Sequence, residues 1–248
     1  MKVKSILVSQ PRPANDSSPY HELSKRNKVK VDFRSFINVE GVDAKDVRQQ
    51  KIDFSKYTAI IFTSRFVIDH FFRLAEEMRF QVPDDMKYFC QSEAIAFYLQ
   101  KYIVYRKRKT YVGEKDIKDL IPFFKKNKGE KFLLPSSDVL KPDVPKFLDE
   151  LELEWERGIL CRTVSSDLSD LEEVRYDILV FFTPSGIKSL FENFPQFKQD
   201  NTRIAVFGKT TVQAAEEMGL RIDIEVPTPE IPSMTMALEK YVKEVNKK

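Results

Sequence analysis

One pattern of apolar and polar positions recurs along this chain. A short run of β-branched and aromatic residues leads into a small polar turn, and apolar residues then follow at spacings of three and four. It is plainest between Tyr176 and Gly219. Ile178 to Phe182 is a continuous apolar run, as expected of a strand buried on both faces of a parallel sheet. Thr183-Pro184-Ser185-Gly186 is the turn, and a helix pattern follows. Ile204 to Phe207, Gly208-Lys209-Thr210-Thr211 and a helix closed by Gly219 repeat the unit. Helix N-termini at such turns present unpaired N–H groups, so two adjacent turns form a shallow site for anions.

An earlier stretch has the same outline. Tyr57 leads Ile60-Ile61-Phe62, Thr63-Ser64 forms the turn, and Val67, Phe71, Leu74 and Met78 share one helical face. Lys87 to Phe89 is then a strand, Cys90-Gln91-Ser92 a turn, and Ile95, Leu99 and Tyr102 one face of the next helix. The two copies lie about 120 residues apart, a domain-sized duplication and not a solenoid period. Elsewhere, Lys2–Val8 reads as a first strand, Asn15–Asn27 as a helix with Asn27 as its C-cap, and Val29–Val39 as extended. Gly41–Phe54 reads as a polar connection or short surface helix. Ile117, Leu120, Ile121 and Phe124 mark a helix, and Lys131–Leu134 a strand ending at the turn Pro135-Ser136-Ser137-Asp138. Pro142–Leu151 is helical, Glu154–Val164 extended and Ser165–Glu173 linker-like. Arg221–Val226 is a strand, Pro227-Thr228-Pro229-Glu230 a rigid turn, and the final helix carries Met234, Leu238, Tyr241 and Val245 on one face. Strands alternating with helices predict an α/β fold with parallel sheets, and the duplication predicts two similar domains. Two sequential domains and a first domain built from both ends of the chain both satisfy the pattern.

Composition narrows the functional classes. The 248 residues carry a net charge of +3 with both signs mixed, which gives no general nucleic-acid-binding surface. Arg106-Lys107-Arg108-Lys109 is the one basic cluster and reads as a solvated loop. The only cysteines, Cys90 and Cys161, sit in apolar surroundings and read as buried free thiols. With two histidines, His21 and His70, a histidine metal site or a Ser-His-Asp triad is poorly supplied. No leader or apolar span is visible, so a cytoplasmic protein without membrane contact is expected.

No dinucleotide fingerprint occurs. Gly208-Lys209-Thr210 is not a Walker loop, because Arg203 stands where the first glycine belongs. What repeats is a set of small hydroxyl residues at strand-to-helix turns. Any one of them is accounted for by helix capping, worth about 1 kcal/mol. As a set they mark the carboxyl edge of parallel sheets, where ligands bind. The candidate binding residues are Ser9, Arg12, Thr63, Ser64, Arg65, Ser92, Ser136, Ser137, Thr183, Ser185, Gly186, Lys209, Thr210 and Thr228, with Lys141, Arg162 and Lys188 adding charge nearby. They suit a ligand bearing several carboxylates or phosphates.

The order of motifs resembles the uroporphyrinogen-III synthase family. The residues that carry the resemblance are Tyr57-x-x-Ile-Ile-Phe-Thr-Ser64, Leu133-Leu134-Pro135, Ile159-Leu160-Cys161-Arg162-Thr163 and Asp177-x-x-x-Phe181-Phe182-Thr183-Pro184-Ser185-Gly186. Ile204 to Thr211 and Pro227-Thr228-Pro229 complete them. The resemblance spans almost the whole chain. It implies two flavodoxin-like α/β domains joined by a two-stranded connection. The first domain would be discontinuous, residues 1–36 with 168–248, the second would be 52–155, and 37–51 with 156–167 would be the connecting strands. It implies an active site in the cleft between domains, no metal or organic cofactor, and a monomer acting on a linear tetrapyrrole. The reaction implied is closure of hydroxymethylbilane with inversion of its last ring. The sequence departs from the family at four points: Ser9-Gln10-Pro11 lacks the usual arginine, Asn27 stands for the glycine usual in the first domain's early helix-to-strand turn, Cys90-Gln91-Ser92 lacks the usual glycine, and Cys161 occupies the place of the tyrosine that is the usual candidate proton donor. No catalytic acid is assigned. The alternative is a non-enzymatic two-domain protein that binds an anionic small molecule.

Overall fold

The computed structural model describes residues 1–14, 18–140, 142–172 and 175–247. In chain order the elements are β1 (Ser5–Val8), α1 (Pro19–Asn27), β2 (Lys30–Phe33), β3 (Ile37–Gly41), α2 (Ala44–Gln49), β4 (Ala59–Phe62) and α3 (Arg65–Glu77). They continue as β5 (Lys87–Cys90), α4 (Glu93–Leu99), β6 (Thr110–Val112), α5 (Ile121–Lys126), β7 (Lys131–Ser137), α6 (Asp143–Glu150) and β8 (Glu154–Ser165). The last are β9 (Ile178–Phe181), α7 (Pro184–Asn193), β10 (Arg203–Phe207), α8 (Lys209–Glu217), β11 (Ile222–Val226) and α9 (Met234–Lys247). The chain divides into two compact units, Met1–Asn38 with Val164–Lys248, and Val39–Thr163.

The first unit carries a five-stranded sheet in the order β11-β10-β9-β1-β2, with every pairing parallel. Numbered along the chain this is the doubly wound order 2-1-3-4-5. Side chains of β9 alternate between two cores. Ile178 and Val180 pack under α1 and α9, against Leu23, Leu238 and Val242. Leu179 and Phe181 pack under α7 and α8, against Ile187, Leu190 and Ala215. A strand covered on both faces must be apolar throughout, which is why the runs in β9 and β10 are unbroken.

The second unit carries β3-β8-β7-β4-β5-β6, and the pairings among β4 to β8 are parallel. Leaving out β3, its order β8-β7-β4-β5-β6 is the first unit's order β2-β1-β9-β10-β11 with the chain cut elsewhere. The triple β4-β5-β6 corresponds to β9-β10-β11, and the pair β7-β8 to β1-β2. In one unit the pair comes first in sequence and in the other the triple does, so the units are circular permutants in strand order. The two sequence copies are the matching halves of the triples. On one face Phe62, Phe71, Leu74 and Tyr88 pack together. On the other, Phe89, Phe124, Phe132 and Leu148 do so.

Several expectations are corrected. Asn27 does not cap α1. Lys28 takes the left-handed position (φ 53°), its N–H donating to Ser24 O, while Asn27 bonds Leu23 O. The helix begins at Pro19, and Asn15 lies outside the described residues. Of the expected connecting strand 37–51, only Ile37–Gly41 is strand. Ala44–Gln49 is helical because buried Val47 anchors a turn against the core. Cys90 ends β5 instead of starting the turn, and Tyr102 lies beyond α4 and is exposed. The strand β7 does not stop at Leu134 but runs through Pro135 and Ser136. Proline is tolerated there because pairing with β4 ends at Leu133, so β7 has a single neighbour at that level. The strand β6 was not foreseen. Of the linker-like 165–173, Ser166 and Leu168 are buried and Ser169–Leu171 forms a 3-10 turn, while Glu173 lies outside the described residues.

Candidate active site

The carboxyl ends of the parallel strands carry most of the candidate residues. In the first unit the strand order reverses between β1 and β9, the position at which doubly wound sheets bind ligands. Ser9 follows β1, its N–H donating to Val180 O at 3.0 Å. Thr183 caps α7, its Oγ1 accepting from the Gly186 N–H at 3.2 Å. A Cβ on Gly186 would stand 3.5 Å from Thr183 Oγ1 and 3.7 Å from Ser9 Oγ, so these three residues converge. One strand along, the Gly208 N–H donates to Val226 O, and α8 begins at Lys209. Thr228 closes its own turn, accepting from the Ile231 N–H at 3.0 Å.

The helix N-termini differ in what they offer an anion. Gly208 has no side chain to cap α8, and among the described residues the Lys209 and Thr210 amides donate to nothing. Lys209 and Thr210 are exposed, so this end is open and basic. Thr211 is buried with its Oγ1 unpartnered, and does not reach the edge. At α7, Pro184 has no N–H and the Gly186 amide is already capped, which leaves Ser185 to contribute.

In the second unit the corresponding reversal lies between β4 and β7. Ser64 caps α3, accepting from the Val67 N–H at 3.3 Å, with Thr63 half-buried beside it. Arg65 sits over the Tyr98 ring at 5.7 Å. Ser92 precedes α4 without a side-chain cap bond, and Glu93 in that first turn repels an anion. Ser137 turns its hydroxyl to Val139 O at 2.7 Å.

Four candidates do not belong to this edge. Ser136 is buried within β7, where Arg157 Nε donates to its Oγ at 2.9 Å. Arg162 pairs with Asp46 at 3.5 Å, on α2. Lys188 pairs with Glu192 along α7. Arg12 is exposed and lines a cavity of about 520 Å³ with His21, Lys30 and Arg34 beside β2. Lys141 lies outside the described residues.

A bracing network was not foreseen. Arg157 also donates to Ser137 O and Asp138 O at 2.7 and 2.8 Å, and Asp138 Oδ1 accepts from Thr163 N at 2.9 Å. It fixes the end of β7 from the neighbouring strand, through a pairing whose register shifts at Ser136/Ser137. Cys161, at the expected tyrosine position, is 1% exposed in β8 with Sγ toward Ser136 O at 3.9 Å. Burial, with the Asp138 charge beside it, pushes its thiol up to about 11, so it stays a neutral thiol, and at 1% exposure it is shut off from anything bound at the edge. Cys90 is also buried and its thiol is pushed up to about 12. Among the described residues no three His, Cys, Asp or Glu side chains converge to hold a metal, and no helix is long and apolar enough to cross a membrane.

Doubly wound parallel sheets with open, hydroxyl-lined turns at their carboxyl edges define an α/β protein of the class that binds ligands at that edge. The family model "Uroporphyrinogen-III synthase HemD" matches residues 18–236, and the chain belongs to that family. Its members are lyase-type enzymes of heme biosynthesis, which favours an enzyme over a carrier. A uroporphyrinogen-III synthase from Chlorobaculum parvum is 25% identical over 262 residues, covering 97% of this chain and 100% of that protein. The crystal structure of uroporphyrinogen-III synthetase from Helicobacter pylori 26695 aligns with a TM-score of 0.57 and 15% identity over 97% of this chain and 99% of that one, a likeness of fold.

Proposed function

We propose that this chain cyclises hydroxymethylbilane to uroporphyrinogen III, holding the substrate by backbone amides at carboxyl-edge turns. The observation that carries this reading is the uncapped start of α8, where the Lys209 and Thr210 amides and the Lys209 ammonium are free for a carboxylate. Ser64 and Arg65 supply a second such position, and Ser9, Thr183 and Ser185 line the reversal point of the first unit. The substrate carries acetate and propionate groups on every ring, so a row of anion-binding turns can fix its shape without unique side chains.

Loss of the substrate hydroxyl as water gives an azafulvene. Attack by the last ring at its substituted carbon forms a spiro intermediate, which fragments and recloses with that ring inverted. Closure without help gives the uninverted type I isomer. The contribution required of the protein is therefore conformational: it holds the last ring where its substituted carbon is the one that attacks. With Cys161 buried out of reach, no side chain is assigned as the general acid.

The test supplies hydroxymethylbilane and separates the products as isomers. Type III above the spontaneous background supports the reading, and type I alone overturns it. A clamp of many backbone donors also predicts that Ser64→Ala and Thr210→Ala each lower turnover less than about tenfold. Ser64→Ala should cost about 1 kcal/mol of stability for its lost cap. Initial rates and a thermal melt read both effects. Abolished activity in either folded variant would replace the clamp with a single essential hydroxyl.

A further inference from the structure

A cavity of about 270 Å³ lies where β5 and β6 begin, walled by Phe72, Met86, Tyr88, Tyr102 and Ile103, with Arg106 and Lys109 among its lining residues. Phe72 and Tyr102, both in its wall, stack on one another in parallel, their centroids 4.5 Å apart at 1°. Thr110 lines it too. This residue is 5% exposed, and its Oγ1 is buried without a hydrogen-bond partner. A buried unpaired hydroxyl is destabilising, and a valine of the same shape would avoid the cost. Retaining a threonine there makes sense if something that enters the cavity pairs with it.

The charges give the other half of the ligand. Lys109 Nζ donates to the Asp84 carbonyl at 2.6 Å, and Arg106 reaches the Asp84 carboxylate at only 3.4 Å. Only Arg106 pairs with that carboxylate, which is itself 92% exposed, and Lys109 meets a neutral carbonyl. The basic run Arg106–Lys109 is thus under-neutralised where it meets an apolar cavity. The volume lies below the range of about 300–1,000 Å³ usual for drug-sized ligands, and admits one ring rather than four.

We propose that this cavity binds a small hydroxyaromatic carboxylate, its ring against Phe72 and Tyr102, its hydroxyl on Thr110 Oγ1 and its carboxylate on Arg106 and Lys109. The site lies at the end of α3 remote from Ser64 and is separate from the tetrapyrrole reading. Its test needs no activity assay.

The probe is 4-hydroxybenzoate, titrated into the full chain and followed by backbone amide shifts, with benzoate and phenol as partial probes. Saturable shifts at Ile103 and Thr110 are expected, with 4-hydroxybenzoate binding about tenfold tighter than either partial probe. Thr110→Val should erase its advantage over benzoate and leave benzoate binding unchanged. Arg106→Gln with Lys109→Gln should erase its advantage over phenol. Thr110→Val should also raise the melting temperature of the unliganded protein by about 2–4 °C. Shifts that never saturate, an advantage that survives Thr110→Val, or a lowered melting temperature in that variant would each overturn the proposal.

Discussion

Gly208→Ala is expected to lower turnover of hydroxymethylbilane by roughly 10–100-fold in a protein that still folds. Gly208 has φ 87° and ψ 147°, a combination that costs an L-residue about 1–3 kcal/mol. Nothing lies within 4 Å of a Cβ built there, so the side chain itself fits. The strain is wholly in the backbone, and the backbone relieves it by rotating. On one side the Gly208 N–H is tied to Val226 O at 2.6 Å. On the other stand the Lys209 and Thr210 amides, which have no such tie and take up the rotation. Those are the donors proposed to hold a substrate carboxylate, and misplacement by about 1 Å is enough to lose two orders of magnitude. Thr210→Ala, which keeps the amide, should lose far less. Steady-state kinetics beside a circular-dichroism melt separate the outcomes. Normal turnover with a lowered melting temperature would mean the α8 amides do not touch the substrate.

The strands that were legible in the sequence are those buried on both faces. Ile178-Leu179-Val180-Phe181 and Ala59-Ile60-Ile61-Phe62 each have helices above and below, so each must be apolar at every position, and a polar turn must follow. The three residues Thr110 to Val112 form an edge strand after a basic run, and no period can show in so short a piece. The continuation of β7 through Pro135 was hidden for a different reason. Proline ends a strand only where its missing N–H would face a paired neighbour, and whether β4 reaches that level is a matter of register. The duplication was legible, but the permutation was not. The β9 and β4 copies reveal matching halves, whereas the exchange of β1-β2 for β7-β8 is a fact of sheet order. The site divides the same way. A serine or threonine before a helix announces a cap, and Ser64 and Thr183 are caps. Nothing local tells that Gly208 leaves α8 open, that Glu93 spoils the start of α4, or that Ser136 is turned to Arg157. The last depends on a register shift between two strands.

Phe89→Ala should destabilise the second unit by about 3–5 kcal/mol, the largest effect expected of any single truncation in its core. Phe89 is 0% exposed. It stacks on Phe124 at 4.9 Å and 6°, meets Phe132 edge-on at 5.1 Å and 70°, and lies 4.6 Å from Tyr111. Truncation loses the transfer energy of the ring and leaves a cavity. It also forfeits three aromatic contacts worth about 0.5–1.5 kcal/mol each. The three partners sit on β6, α5 and β7, so small collapses of any one cannot refill the space. Whole domains are stable by only about 5–15 kcal/mol, so the variant would be left near the threshold of folding. The lone tryptophan makes the effect readable. Trp155 belongs to the second unit and packs against the same cluster, with Nε1 donating to Asp149 at 2.9 Å. Its fluorescence reports this unit, and its urea midpoint should fall by about 1–2 M. Circular dichroism sums both units, so its transition should broaden and separate from the fluorescence transition. Phe97→Ala, at a side chain 75% exposed, is the control and should leave the fluorescence midpoint unmoved. A shift for Phe89→Ala no larger than that of the control would mean the ring cluster is not the keystone of this sheet face.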